Sequence, residues 1–173
     1  MEYLIFALVV AFVAVNVFVE AVNQGSSKWW RDPLSHYLVG VRFAWLQRLA
    51  YLGMAAAECL LITRGYGALE SIALAIAAFG LTGVVATKLR IVTGLGAGAA
   101  RTAHLVASGL AFAAAVAFEF MVLLHTRSVW FPVGAVVATA TIAIDAPEQE
   151  AITEKTLTAF VLAGIIPIVA IPL

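Results

Sequence analysis

Charged residues are scarce in this chain. Asp, Glu, Lys and Arg make up 12% of its 173 residues, whereas soluble domains contain about 25%. The formal net charge is zero, and the ten Lys and Arg residues are scattered along the sequence. A nucleic-acid-binding domain needs a basic face. The composition therefore argues against a water-soluble fold and against a nucleic-acid partner.

Cysteine is almost absent as well. The single residue, Cys59, excludes an intrachain disulfide and any CxxC redox or zinc motif. The HExxH, GxSxG and Walker phosphate-binding motifs are also missing from the sequence. Because no catalytic or metal-binding template fits, we expect a protein that is not an enzyme, and we expect no metal or cofactor.

Apolar residues dominate the sequence. They make up 64% of the chain, and the mean hydropathy is +1.04. Crossing about 30 Å of hydrocarbon takes roughly 20 apolar residues. The pattern predicts an all-α, six-helix integral membrane bundle that forms a single transmembrane domain over residues 1–173. The six helices are expected at about 3–19, 44–63, 68–87, 102–124, 129–144 and 156–173. Residues 34–43 are expected to form either a short interfacial helix or the start of helix two.

The basic residues predict an orientation. The connections after helices one and three carry six of them: Lys28, Arg31, Arg42, Lys88, Arg90 and Arg101. Cytoplasmic loops carry the excess of Lys and Arg, so we expect a multi-pass protein of the cell membrane with both termini outside. The first residues lack the basic region of a secretory signal peptide, so helix one is expected to be retained.

Helix four carries a polar stripe that suggests a binding face. At about 100° per residue, five residues fall on one side of this helix: Arg101, His104, Ser108, Ala115 and Glu119. Small residues let membrane helices approach, and polar residues bond across them. We therefore expect helix four to lie at the centre of the bundle.

Two carboxylic acids are expected inside the membrane. Glu58 of helix two and Glu119 of helix four should lie at a similar depth near the outer side. Two facing carboxyl groups in a low dielectric would hold at least one proton. Alternatively, each bonds a backbone or hydroxyl group and only fixes the packing.

A second polar cluster is expected at the cytoplasmic end. Its members are Asp32, Ser35, His36, Arg42, Arg48, Lys88, Arg90, Arg101 and His104. Several cations at one depth could hold an anionic lipid headgroup or a phosphate, although positive-inside topology alone also places Lys and Arg there. His36 and His104, predicted at the same membrane face, could provide the two axial imidazoles of a b-type haem.

The middle of the chain carries four short motifs: Asp32-Pro33-Leu34-Ser35 before Gly40, Ala44-Trp45-Leu46 with Gly53, Gly80-Leu81-Thr82-Gly83, and Thr102-Ala103-His104-Leu105. These motifs resemble the DUF998 family of bacterial and archaeal membrane proteins, whose function is not known. The resemblance covers about residues 31–115. It implies six membrane helices, with Ser35 and His104 at polar positions of the family. The chain departs from the family after helix three, where Lys88-Leu89-Arg90-Ile91-Val92 replaces a Phe-Pro and acidic stretch.

The functional expectation is a non-enzymatic bundle. We expect it to bind membrane lipid or a small amphipathic ligand, or to act as a subunit of a membrane complex or oligomer. The alternatives are a b-type haem or quinone electron carrier, and an enzyme acting on a lipid headgroup, for which Ser35 and His104 would have to meet at one cavity. The candidate ligand-binding residues are Ser35, His36, Arg48, Glu58, Arg101, His104, Ser108 and Glu119.

Overall fold

The described part of the protein is entirely helical. The computed structural model describes residues 1–23, 34–93, 97–126, 155 and 158. They form helices α1 (Glu2–Val22), α2 (Ala44–Ile62), α3 (Ala68–Thr93) and α4 (Ala97–Thr126), and a 3-10 helix at Leu34–Leu38. The first four predicted helices are thus present. The fifth, at 129–144, and the sixth, at 156–173, lie outside the described residues apart from Thr158.

Three of these helices are long and apolar enough to cross a membrane. They are α1, α3 over Ala68–Leu89, and α4 over Gly98–Val122. Much of the outward surface of α1 consists of large apolar side chains, such as Tyr3, Val17 and Phe18. Backbone polar groups in hydrocarbon must be bonded within the segment, which a helix does along its whole length. Apolar helices with apolar outer faces indicate a membrane protein.

Helix α2 is the central helix of the described residues. It packs against α1 on one side and α3 on the other, whereas α4 packs against α3. Nine of the nineteen residues of α2 are buried, including Gln47 and Glu58. Among the described helices α4 packs against α3 alone. The expectation that helix four is central stays a prediction, because helices five and six lie outside the described residues.

The segment before α2 forms a separate short helix. In the 3-10 helix Leu34–Leu38, Tyr37 and Leu38 are fully buried and Ser35 is 5% exposed. This short helix packs against α1, α2 and α3, so it is part of the helix bundle. Gly40 and Phe43 then take positive φ angles of 74° and 64°. Phe43 carries a Cβ that disfavours this left-handed conformation, and it directs the chain into α2 at Ala44.

The turn between α3 and α4 is shorter than predicted. Helix α3 continues beyond Lys88 to Thr93, and α4 begins at Ala97, so Gly98 is helical. The sequence predicts a flexible loop over Gly94–Gly98 because glycine favours turns. Ala97, Ala99 and Ala100 are strong helix formers, and they outweigh the glycine between them.

Candidate functional site

The two ends of the helix pairs differ in charge. At the end that we call the basic end, the Asn23 side chain donates to the Arg42 carbonyl at 3.1 Å and accepts from the Arg42 N–H at 3.2 Å. These bonds join the end of α1 to the start of α2. Because α3 and α4 run antiparallel to α2 and α3 respectively, Lys88 and Arg101 also lie at this end.

The opposite end carries few charges. Arg64 forms an ion pair with Glu2 at 2.9 Å, which joins the turn after α2 to the start of α1. The Tyr66 ring in that turn packs edge-on against the Phe118 ring of α4, with centroids 5.2 Å apart. Burial raises the pKa of Tyr66 above its ordinary value, and the Arg64 charge partly opposes this shift. An ion pair and an aromatic contact therefore join the described helices at this end.

A buried polar pair joins α1 and α2 between these ends. Asn16 is 6% exposed and Gln47 is fully buried. The Asn16 amide donates to the Phe12 carbonyl at 2.7 Å, and the Gln47 amide donates to the Asn16 side-chain oxygen at 2.7 Å. Interhelical amide bonds of this kind hold membrane helices together. The pair fixes the rotation of α1 against α2.

Small residues bring α3 and α4 into close contact. A Cβ atom added at Gly80 would lie 2.6 Å from the Ala111 nitrogen and 2.8 Å from the Ala107 carbonyl oxygen. At Gly83 it would lie 3.0 Å from the Ala107 Cβ atom. Only glycine at position 80 allows the two backbones to approach this closely. The motif Gly80-Leu81-Thr82-Gly83 thus forms a helix crossing.

His104 is held at the same interface, nearer the basic end. Its Nδ1 atom lies 3.1 Å from the Thr87 hydroxyl of α3, and the imidazole is 8% exposed. The Thr87 hydroxyl donates to the Gly83 carbonyl at 2.7 Å. Because the hydroxyl hydrogen is used in that bond, the Thr87 oxygen can accept from the Nδ1–H of His104. The contact between Thr87 and His104 therefore favours the tautomer in which Nε2 is an acceptor.

A cavity of about 400 Å³, which includes the open space at its mouth, lies between the helices. It is lined by residues from all four α-helices and by Thr158: Phe12, Tyr51, Met54, Glu58, Leu81, Ala111, Phe112, Ala115 and Thr158. Ligand pockets are mainly apolar with a few placed polar groups. The lining of this cavity fits that description.

The carboxyl groups of Glu58 and Glu119 occupy different places. Glu58 and Glu119 are each 2% exposed, but only Glu58 lines the cavity. Glu58 Oε2 and Glu119 Oε1 have no hydrogen-bond partner among the described residues. The hydrogen bonds of this part of the chain do not include one between the two carboxyls, so the expected pairing of Glu58 with Glu119 is not observed there.

The remaining residues of the predicted stripe on α4 differ in exposure. His104, Ala115 and Glu119 are buried, Ser108 is half-buried and Arg101 is exposed. Only Ala115 of this set contributes to the cavity. The stripe therefore faces the interior over most of its length and turns outward at the basic end.

The predicted basic cluster spreads over several environments. Ser35 is buried, Arg48 and Lys88 are half-buried, and His36 is exposed with its ring edge-on to Tyr37 at 5.6 Å. The Arg42 guanidinium lies 5.1 Å from the centre of the Phe43 ring. Asp32 and the side chain of Arg90 lie outside the described residues.

Neither of the two alternative sites takes shape at the cavity. A headgroup enzyme requires Ser35 and His104 to meet at the cavity. Neither residue is among those that line it. His36 and His104, the candidate haem ligands, lie in different surroundings, one exposed and one buried against α3. The assignment of His36 and His104 as haem ligands stays a prediction, and neither residue is in the cavity lining.

The C-terminal part of the chain contributes to the site through two residues. Lys155 forms an ion pair with Glu20 of α1, near the basic end. Thr158, three residues later, lines the cavity, and both residues are in helical conformation. These two residues therefore place the C-terminal part of the chain both near the basic end and at the cavity.

Several residues of the site were not predicted from the sequence. Asn16 and Gln47 carry a signal that could have been used, because uncharged polar residues within an apolar helix usually bond to a neighbouring helix. Phe12, Met54 and Phe112 carry none, since apolar residues in apolar helices are equally suited to lipid contact. Their place in the lining depends on which helices pack together.

The comparisons with known proteins do not identify a family: no protein-family model, no curated protein and no solved structure matches the chain. The resemblance to DUF998 therefore stays a prediction from the quoted motifs.

Proposed function

We propose that this protein is an integral membrane protein that binds a small, mainly apolar ligand in the cavity between its helices. The observation that carries the proposal is the cavity itself, which has apolar walls and one buried carboxylic acid, Glu58. Apolar walls hold the body of a ligand, and a single polar group fixes its orientation. The lining suits an amphipathic molecule with one hydrogen-bonding or charged group.

The lining favours binding over catalysis. Its polar side chains are Glu58, the Tyr51 hydroxyl and the Thr158 hydroxyl. Nucleophilic catalysis needs a nucleophile and a base within hydrogen-bond reach, with a third group to orient the base. The described residues of the lining provide groups that recognise a ligand, and such a catalytic set is not found among them.

The same proposal includes the architecture. We take the protein to be a DUF998-like six-helix bundle in the cell membrane, crossing it several times, with both termini outside. Support comes from the gathering of Arg42, Lys88 and Arg101 at the basic end, since cytoplasmic ends carry the excess of Lys and Arg. The ion pair of Lys155 with Glu20 places one residue of the C-terminal part beside α1, which is compatible with further helices packing there.

The orientation is tested by labelling in intact cells. Single cysteines at Ala68 and Ala99, both exposed and at opposite ends, are introduced into a Cys59→Ala background. An impermeant maleimide should label position 68 and leave position 99 unlabelled until the cells are permeabilised. The reverse pattern would invert the orientation.

Ligand binding is tested by photolabelling the purified full chain in lipid nanodiscs with the neutral probe 3-trifluoromethyl-3-phenyldiazirine. Mass spectrometry should find the label on cavity residues such as Tyr51 and Met54. Ala115→Leu, which fills the cavity, should abolish that label. Ala113→Leu is the matched control, because Ala113 lies two residues before Ala115 on the same helix and is exposed, so its substitution should leave the label unchanged.

The outcomes separate the alternatives. Labelling of lipid-facing positions alone, equal in both variants, would contradict the cavity as a binding site. A Soret band in the absorbance spectrum of the reduced protein would instead identify a b-type haem, and a co-purifying quinone would support an electron carrier.

A further inference from the structure

We infer, on the basis of the proposed function, that the cavity binds a small organic cation with apolar substituents, and that Glu58 gives up a proton when the cation binds. Three observations support it: aromatic rings in the lining, a carboxyl group among them, and no other charged side chain among the lining residues that the structure describes.

Aromatic rings form a large part of the lining. Phe12 of α1, Tyr51 of α2 and Phe112 of α4 all contribute. The rings of Phe12 and Tyr51 meet edge to face, with centroids 5.2 Å apart and an interplanar angle of 63°. Aromatic faces attract cations, most strongly where water is excluded. An anion would gain nothing from these rings, whereas a quaternary or alkyl ammonium gains from each ring face it contacts.

Glu58 supplies the opposite charge. Of the described residues that line the cavity it is the only Asp or Glu, and within the same part of the chain its Oε2 atom has no hydrogen-bond partner. An isolated carboxylate in an apolar medium is very costly. In the empty cavity the carboxyl therefore keeps its proton, and a bound cation makes the ionised form favourable.

The exchange balances in charge and atoms. The neutral acid of Glu58 loses its proton to water as the ammonium enters, and a carboxylate–ammonium pair remains in the cavity. No covalent bond of the ligand forms or breaks. The net charge inside the cavity is zero before and after, so neither state leaves an unpaired charge in a low dielectric.

Among the described residues that line the cavity, none carries a positive charge that could compete for Glu58. Tyr51 of α2 is the only other titratable residue among them. The residues facing the cavity from the neighbouring helices do not titrate: Phe12 from α1, Leu81 from α3, and Ala111, Phe112 and Ala115 from α4. Thr158 adds a hydroxyl. The ligand is therefore the group best placed to neutralise an ionised Glu58.

Glu119 provides a natural comparison. It is as buried as Glu58, and one of its oxygens likewise lacks a partner among the described residues, but it does not line the cavity. A ligand in the cavity should be sensitive to position 58 and insensitive to position 119. Burial of a carboxyl group is common to both residues, so only contact with the cavity distinguishes them.

The test compares two probes of the same shape by titration calorimetry on the full chain. Benzyltrimethylammonium carries a positive charge, and neopentylbenzene is its neutral carbon counterpart. We expect the cation to bind more tightly, with about one proton released per cation, measured from titrations in two buffers of different ionisation enthalpy. Its affinity should rise with pH, because deprotonation of Glu58 accompanies binding.

Matched variants complete the experiment. Glu58→Gln removes the exchangeable proton and should weaken cation binding roughly tenfold or more, while neopentylbenzene binding is retained. Glu119→Gln should leave both affinities unchanged. Retained neopentylbenzene binding also shows that Glu58→Gln folds.

Each contrary result has a distinct meaning. Equal binding of the two probes, or cation binding without proton release, would overturn the inference and leave the cavity as a site for neutral ligands. An effect of Glu119→Gln as large as that of Glu58→Gln would also overturn it. Failure of both probes to bind, together with failure of the photolabel, would count against the proposed function itself.

Discussion

The α1–α2 interface and the α3–α4 interface solve the same packing problem in different ways. Between α1 and α2, amide side chains bond across the contact, with Asn16 to Gln47 at 2.7 Å in its middle. Between α3 and α4, the backbones touch at Gly80 and Ala111, with no room for a further methyl group. One interface relies on hydrogen bonds and the other on close approach.

The difference reflects the solvent. Lipid chains are as apolar as the side chains they contact, so apolar burial alone gives membrane helices little reason to associate. Close packing and interhelical hydrogen bonds remain. In α1, where large apolar residues dominate, an amide provides the specificity. In α3 and α4, which are rich in Gly and Ala, small residues provide it.

The largest effect is expected from Gly80→Ala. The new methyl group would overlap backbone atoms of Ala107 and Ala111, at 2.6 to 2.8 Å, and backbone atoms cannot turn aside as a side chain does. Helices α3 and α4 must separate, so overpacking should lower the free energy of unfolding by about 1–3 kcal/mol. Reversible unfolding in mixed detergent micelles, followed by circular dichroism, measures the change.

Gly109→Ala is the control for that substitution. Gly109 also lies within a helix, α4, but a Cβ atom there meets nothing within 4 Å. Alanine is the better helix former, so this variant should be stabilised by about 0.5–1 kcal/mol. If both glycine variants shift stability in the same direction, close approach is not what holds α3 to α4.

An intermediate effect is expected from Asn16→Leu. It removes the acceptor for the Gln47 amide, and interhelical hydrogen bonds in membranes contribute about 0.6–2 kcal/mol. The double variant Asn16→Leu with Gln47→Leu should lose less stability than the sum of the two single variants, because the bond between these side chains is lost only once. A double-mutant cycle on the unfolding free energies gives the coupling. A coupling energy of zero would show that the amide bond does not stabilise the α1–α2 interface.

The sequence predicted the described helices well and their packing poorly. Apolar runs and the basic residues place α1 to α4 to within a few residues at most ends, because length and hydropathy are local properties. The start of α4 was misplaced by a glycine at position 98 that the alanines around it keep helical. The order of the helices, with α2 in the centre, depends on contacts between distant segments.

The candidate site shows the same limit. Glu58 was selected because an acid within an apolar helix is costly, and it lines the cavity. Ala114 and Ala115 show why a helical wheel is insufficient: the wheel places only Ala115 on the polar stripe, yet both are buried, at 8% and 5% exposure. Two neighbouring helices, or a helix and a cavity, can cover more than one face of α4.

The smallest effect is expected from Glu2→Gln, which removes the exposed ion pair between the start of α1 and the turn after α2. Glu2 is 58% exposed in its ion pair with Arg64, and exposed ion pairs contribute about 0–1 kcal/mol. Arg64 makes a further interaction, so Glu2→Gln does not leave its guanidinium without a partner. We expect a loss of less than about 1 kcal/mol, and smaller still in high salt, because screening weakens an exposed pair. Unfolding of both proteins at low and high ionic strength measures it. A loss as large as that of Asn16→Leu, unaffected by salt, would mean that this pair behaves as a buried one and that charge, as well as the amide pair, holds α1 to α2.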